Sequence, residues 1–491
     1  MPGLTPLKRF PFHFLLVILF FLLHGYSEYI GLIPFTDLLI FFLAASAAGF
    51  IVFFILKKIV RSAQKAGIIT SLIFLFYLFY GSIKDTLKPG WLHPLSRYSI
   101  LLPVMLVLVL ALGYYFRKTS RQFPRLTLFI NVLLLIYILV DLGTIIAGSS
   151  RPSNQQRPAQ TAFTRCDTCA TPDIHLILLD EYAGLRTLQR YFNYDNQHFK
   201  DSLQQQGFYV VPAPSANYSA TPVAVASLFS MEYLPEFHRE IKAEDYTRAE
   251  KMVNQSIVLQ LLKAHGYTFL NHSIFNLDGQ PGRFRTDLLP MRLKLITDKT
   301  LWNSIVDDLG WQINKKMAPR FSWLGKMIQD DYKDGNQRLL NLTRETIVTK
   351  TAQPRFVYTH LLMPHWPYLL DSTGRPTGIN FFSNNLPLQQ KEAAYVQYLA
   401  YTNKVMLELT AGILRQSGGN AVIILMSDHG YRARPGKSVC EQVNDNFISV
   451  YLPGGDYRAL YGTISNVNIF RAVFNSVLKQ RFVRLPDHCI Y

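Results

Sequence analysis

The sequence predicts an α/β fold, a mostly parallel sheet flanked by helices, carried behind an N-terminal bundle of five transmembrane helices. Three observations lead there. The first ~150 residues hold long apolar runs of the length a bilayer needs. Beyond them, short apolar runs alternate with amphipathic stretches, the pattern of strands and helices in a parallel sheet. Finally, acidic residues and histidines stand at the ends of several of those short runs.

The five apolar runs begin at Phe10, Leu38, Ala66, Tyr98 and Leu126. The first, "FPFHFLLVILFFLLHGY", has the look of a signal peptide, but no A-x-A site closes it and further runs follow, so it reads as an uncleaved anchor. Basic residues gather in "KKIVRSAQKA" after the second run and "RKTSRQFPR" after the fourth, while "SEYIGLIPFTD" after the first has no Lys or Arg. The positive-inside rule then places the basic loops in the cytoplasm and everything after about Gly148 outside. Asp141 lies about two helical turns from the outer end of its run and reads as a residue reaching the interface. The net charge of +17 suits an anionic membrane surface or an anionic lipid. Nucleic acid is excluded as a partner: no Lys/Arg run with interleaved aromatics is present, and the polar part faces away from the cytoplasm.

These readings divide the chain into a transmembrane domain, 1–147, an extracytoplasmic linker, 148–172, and an outer domain, 173–491. The linker is rich in Pro, Ser and Gln. All four cysteines, Cys166, Cys169, Cys440 and Cys489, lie on the outer side, where an even count favours disulfides; a zinc site on "CDTC" is the rival. Strands are expected at 174–179, 208–211, 267–270, 355–362, 421–426 and 447–452. Helices are expected at 186–206, ending at Gly207, and at 388–416, ending at Gly418.

The chemistry gathers where strands end. The run "IHLILL" leads into Asp180-Glu181, "RFVYTHLL" carries His360 and leads to His365, and "AVIILM" runs into "SDHG" with Asp428 and His429. In open α/β sheets, sites form at the carboxyl ends of the strands, so these distant segments are expected to converge. Taken singly, each has a plain structural reading as a turn, a cap or a packed histidine; their shared topological position argues for a site. Asp180 or Glu181, with Asp428 and His429, offers three ligands for zinc or manganese. Thr221, followed by Pro222, reads as the N-cap of a helix with Pro at its first position. Its hydroxyl is the natural candidate for a metal-activated nucleophile, and the helix N-terminus there favours a phosphoryl oxygen.

The order "DIHLILLDEYAG", "SATPVAVASLFS", "HLLMPHWPY", "ILMSDHG", "NFISVYLPG" resembles the alkaline phosphatase/sulfatase superfamily. With five spans and an outer domain, it looks most like the lipid A phosphoethanolamine transferases and the lipoteichoic acid synthases. The resemblance implies a sulfatase-like catalytic domain in which Thr221 is both nucleophile and metal ligand. It implies an acidic ligand at the end of the first strand: a single Glu in the transferases, matching Glu181, or an acidic pair in sulfatases, matching Asp180 and Glu181. It assigns Asp428 and His429 to the metal, and His360 and His365 to the phosphate or a second metal. Two departures stand out. "TPVAV" lacks the C/S-x-P-x-R motif of formylglycine sulfatases. Where the transferases continue with an acidic stretch after "SDHG", this chain has "YRARPGKSVCEQVND", whose Arg432, Arg434 and Lys437 read either as holders of an anionic head group or as a solvated loop.

The expectation is a metal-dependent transferase at a bacterial inner membrane, with zinc or manganese as cofactor and calcium as a further candidate. It would move a phospho-head group from a membrane phospholipid, through a phosphothreonine, to an anionic envelope glycan or lipid. The alternatives are a sulfatase- or phosphatase-type ester hydrolase on the same scaffold and a non-catalytic membrane protein. Of the N-glycosylation sequons at Asn217, Asn254, Asn271 and Asn341, the first lies four residues before Thr221, where a glycan would obstruct the site.

Overall fold

The structure is a computed structural model that describes residues 10–30, 33–149, 163–237, 241, 243–283, 291–305, 322–379, 381, 386–432 and 444–490. The chain divides into two compact units, one of 1–156 with 289–313, the other of 157–288 with 314–491.

The first unit is helical: α1 His13–Glu28, α2 Phe35–Val60, α3 Ala63–Leu78, α4 Tyr80–Leu87, α5 Tyr98–Lys118 and α6 Pro124–Ser149. Three helices, α2, α5 and α6 as far as Ala147, are long and apolar enough to cross a membrane, and α3 with α4 adds a fourth if their 66° bend is one broken span. The fifth expected span falls short. The 16 residues of α1 rise about 24 Å at 1.5 Å per residue, less than the ~30 Å hydrocarbon core. Asp141 does not reach outward. It is buried in the unit, with its carboxylate 3.2 Å from Nδ1 of His24 on α1. The segment 291–305 packs within this unit, although the sequence alone gives it no apolar run to distinguish it from its neighbours.

The second unit is built on a six-stranded sheet: β1 Asp173–Leu179, β2 Tyr209–Val210, β3 Thr268–His272, β4 Arg355–Leu361, β5 Ala421–Ser427 and β6 Ile448–Tyr451. The spatial order is β2-β6-β5-β1-β4-β3. β3, β4, β1 and β5 are parallel, and β6 runs antiparallel to both of its neighbours. Each expected strand forms; the sheet is mixed because the last strand, β6, inserts antiparallel between β5 and the edge strand β2.

Alternation along the strands explains the layers. Ile174, Leu176 and Leu178 of β1, Phe356 and Tyr358 of β4, and Val422, Ile424 and Met426 of β5 face one core, shared with the Thr221–Ser230, Ile257–Ala264 and Asn466–Val477 helices. Ile177, Leu179, Leu361, Ile423 and Leu425 face the other, covered by the Leu185–Phe192, Gln197–Gln205 and Leu388–Ser417 helices. Covering both faces of the parallel strands accounts for their near-continuous apolar runs. At the foot of the sheet, the Arg355 guanidinium bonds the Asp173 carboxylate from Nε at 2.9 Å and from Nη2 at 2.5 Å, locking β4 to β1.

The helix expected at 186–206 is two helices. Asn193 ends the first in the left-handed region (φ 47°), a conformation that Asn tolerates. The helix expected at 388–416 runs Leu388–Ser417 and closes on left-handed Gly418.

Candidate active site

Three strands deliver the site at their carboxyl ends. Asp180 follows β1, Asp428 and His429 follow β5, and His360 sits within the last turn of pleat of β4. The register pairs Leu178 with His360 on one side and with Met426 on the other. Side chains two residues apart share a face. Asp180 and Asp428 therefore continue the face of Leu178 and Met426, the same face on which the Thr221–Ser230 helix packs.

Asp180, Asp428 and His429 are all buried and offer one ligand atom each within 4.8 Å of one another; among the described residues they form the group that fits a metal ion. His429 Nε2 lies 3.6 Å from Asp180 Oδ1 and 3.3 Å from Asp428 Oδ2. Its Nδ1 faces the Gly430 carbonyl at 2.7 Å, which leaves the Nε2 lone pair for the cluster. Asp180 Oδ1, Asp428 Oδ2 and His360 Nε2 are buried without a hydrogen-bond partner. Orphaned oxygens of this kind each cost about 1–3 kcal/mol, so the donor set fits a divalent cation, which would satisfy them together. Zinc and manganese accept this mixture of carboxylate and imidazole.

Thr221 joins the cluster from the helix side, its Oγ1 3.2 Å from His429 Nε2. The expected N-cap role is corrected here. Ala220, with extended backbone, is the N-cap; Thr221 and Pro222 are the first two helical residues, and no side chain caps the helix. A hydroxyl at that first position points away from the helix's own N–H groups and toward the cluster.

Glu181, the other acidic residue at this strand end, stands beside the cluster. It does not belong to the three-residue group. Its backbone is left-handed (φ 62°), a strained state for a non-glycine residue. The turn directs its buried side chain toward Arg432 and His365, where one oxygen accepts the Arg432 N–H at 2.9 Å and the other lies 3.8 Å from His365 Nε2. Tyr395 holds this turn: its hydroxyl donates to the Glu181 carbonyl and accepts the Ala183 N–H, both at 2.9 Å.

The two histidines divide. His360 is fully buried, its Nδ1 2.9 Å from the Tyr358 hydroxyl and its Nε2 4.0 Å from Asp180 Oδ2. His365 stands at the mouth with its side chain 23% exposed. Its Nδ1 faces the Trp366 carbonyl, and its Nε2 lies 3.3 Å from the Arg432 guanidinium. Arg432 also donates to the Ser219 carbonyl at 3.1 Å, two residues before Thr221. Arg434, Lys437 and Cys440 lie outside the described residues.

Burial dominates the electrostatics. It pushes the Asp180 carboxyl up, to about 7, with Asp428 adding to the rise. It lowers His360 to about 4 and His429 well below the usual imidazole range. For His365 burial acts downward too, but the Asp180 and Glu181 carboxylates outweigh it and raise the imidazole.

Several supporting residues carry no motif. Asp445 accepts from the Thr187 N–H at 2.7 Å and from Arg186 at 3.1 Å. A Cβ on Gly184 would fall 2.5 Å from its carboxylate, so "DEYAG" must end in glycine. Asn466 donates to the Asp428 carbonyl at 2.9 Å and fixes the end of β5. Asn217 is buried beneath its sequon: it donates to His488 and accepts from Val467, so its amide is engaged on both sides. This ties the chain before Thr221 to the C-terminal tail, where Cys489 is disulfide-bonded. Cys166 and Cys169 form a disulfide with each other, which decides "CDTC" against zinc.

The family model described as Sulfatase matches residues 190–470, more than half of the chain, and the match includes Thr221, His360, His365, Asp428 and His429. No curated protein matches the chain in sequence. Among solved structures, the chain is similar to the integral membrane lipooligosaccharide phosphoethanolamine transferase A from Neisseria meningitidis, with 11% identity over 96% of this chain and 95% of that one at a TM-score of 0.39. It is also similar to the periplasmic domain of EcEptC from Escherichia coli, with 11% identity, 65% and 85% coverage, and a TM-score of 0.39. A third likeness is to the phosphonate monoester hydrolase of Agrobacterium radiobacter, with 14% identity, 63% and 74% coverage, and a TM-score of 0.35. Matched across the unit that carries this cluster, the chain belongs to the sulfatase family of the alkaline phosphatase/sulfatase superfamily.

Proposed function

We propose that the protein is a metal-dependent transferase that moves a phospho-head group from a membrane phospholipid to a hydroxyl on an anionic envelope glycan or lipid. The observation that carries this reading is the placing of the Thr221 hydroxyl 3.2 Å from His429, inside the buried group of Asp180, Asp428 and His429. Those three residues, with Thr221, would hold the ion. When bound, a divalent cation supplies Lewis acidity that favours the alkoxide form of a neighbouring hydroxyl and offsets charge on a phosphoryl oxygen.

In this reading Thr221 Oγ1 attacks the phosphorus of the phosphodiester and passes its proton to solvent water, from which it takes one back when it is later displaced. The bond from phosphorus to the lipid alcohol breaks, leaving a phosphothreonine. His365 stands at the mouth with a raised pKa and is the residue placed to give the leaving alkoxide its proton. The acceptor hydroxyl then displaces Thr221 and returns a proton to His365. Arg432, bonded to His365 and to Ser219, is placed to bind the phosphoryl oxygens, and Arg434 and Lys437 are assigned the head group. His360, neutral and buried against Asp180, orients that carboxylate or supplies a further ligand.

Basic loops between the apolar helices support an inner-membrane location with the second unit outside, and the Cys166–Cys169 disulfide suits an oxidising compartment. The ester-hydrolase reading on the same scaffold differs in the final acceptor, water in place of an alcohol. Mass spectrometry of the intact protein after incubation with bilayer phospholipids tests the proposal. A head-group phosphate adduct on Thr221, discharged by an added alcohol, is the expected result. Discharge of the adduct by water, with no gain from an added alcohol, would favour the hydrolase, and ester cleavage with no adduct would remove Thr221 as the nucleophile.

A further inference from the structure

The segment 291–305 belongs to the first unit, although the described segments on either side of it, 243–283 and 322–379, belong to the second. It docks through backbone. The Gly81 N–H donates to the Lys299 carbonyl at 2.7 Å, and a Cβ on Gly81 would lie 2.9 Å from the Lys299 backbone. Glycine alone admits that approach. Ile296 fills the space left by Gly25 of α1. Lys299 pairs with Asp85 of α4, and the Tyr98 hydroxyl at the start of α5 donates to the Ser304 carbonyl at 2.6 Å. By chain connectivity these partners all stand at one end of the helix bundle, opposite the basic loops between α2 and α3 and between α5 and α6.

At this end the protein leaves large aromatic surface uncovered. Trp302 is 58% exposed, and Trp91 in the turn Gly90–Ser96 is 86% exposed. Exposed apolar side chains also line the helices themselves, Val107 and Leu110 of α5 among them, as expected of surface that meets acyl chains. An indole at the end of such a bundle suits the interface, where its ring enters the acyl boundary and its N–H meets head groups.

We propose that 291–305 is an interfacial lipid-contact element, in which Trp302 inserts among outer-leaflet phospholipid head groups at the rim of the bundle. Continuity with the lipid-facing helices selects the occupant: a phospholipid surface. The inference does not depend on the reaction assigned to Thr221.

The test uses the full chain in nanodiscs of phosphatidylethanolamine and phosphatidylglycerol, with and without a nitroxide at head-group depth. Subtracting the emission of Trp302→Phe from that of the wild type isolates Trp302. Nitroxide lipid is expected to abolish most of this difference emission, and aqueous iodide to leave most of it. The reverse pattern overturns the proposal. Benzoylphenylalanine in place of Trp302 provides a second readout: photocapture of phospholipid is expected, and capture of protein alone overturns it.

Discussion

The Thr221 hydroxyl lies 3.2 Å from Nε2 of His429, across 208 residues of sequence. Ala220 takes the N-cap position, so the hydroxyl is not spent on the helix. The site therefore combines a hydroxyl that the helix does not use with two carboxylates, of which Asp180 Oδ1 and Asp428 Oδ2 are buried and unsatisfied.

Thr221→Ala is expected to lower turnover by about a thousandfold or more, as for other nucleophile deletions. Metal content should fall less than turnover, because Asp180, Asp428 and His429 remain. Head-group release and elemental analysis on the same preparation check this, and turnover within a few-fold of wild type would refute the nucleophile role.

The purified protein is expected to hold zinc or manganese, and Asp428→Asn combined with His429→Ala to lose it. Chelation should also lower the melting temperature, since a ligand at a thousand times its Kd stabilises the folded state by about 4 kcal/mol. Unchanged metal content in the double variant would move the site elsewhere.

The metal-free protein should show the cost of burying Asp180. Its folded pKa is raised to about 7 from 3.8. Between those values the folded chain holds a proton that the unfolded chain has lost, so this contribution is intact at low pH and is lost as pH rises through the folded value. Asp180→Asn should therefore match the wild type near about pH 4 and exceed it in stability near about pH 8. Denaturant titrations at both values decide; an offset that does not change with pH would contradict the sign.

Arg432→Ala removes a guanidinium bonded to Ser219 and His365 at the mouth. A charge-assisted contact to phosphate is worth about 1.5–3 kcal/mol, so kcat/KM for the lipid donor should fall by roughly tenfold to a hundredfold. Arg432→Lys should recover part of it. Equal activity in all three proteins would remove Arg432 from the substrate site.

Tyr395→Phe leaves the Ala183 N–H without its acceptor and frees the strained Glu181 turn. The expected loss is about 1–3 kcal/mol, read as a drop in melting temperature, with activity falling further than the small loss of folded protein explains. A variant as stable and as active as wild type would show that the turn holds itself.

Much of the site was legible because strand periodicity is local. Ile174, Leu176, Leu178 and Asp180 share one parity, as do Val422, Ile424, Met426 and Asp428. The supporting polar groups were not legible. Tyr395 lies on a long helix over the sheet, and the contacts made by Asn217, Asn466 and Asp445 span 38 to 258 residues of sequence. The short helix α1 has the composition of a full span because hydropathy reports composition over a window and not where the helix stops.

The amino-acid sequence by itself determined the strands, the apolar helices and the residues able to hold a metal, since these follow from side-chain character repeating over a few positions. Tertiary structure alone decided the rest. It took Thr221 out of capping, turned Glu181 toward Arg432 and His365, buried His360 and left His365 at the mouth. It also placed 291–305 among the helices of the first unit. Each of these depends on contacts between residues distant in sequence, whose energies appear only when the chain has closed on itself.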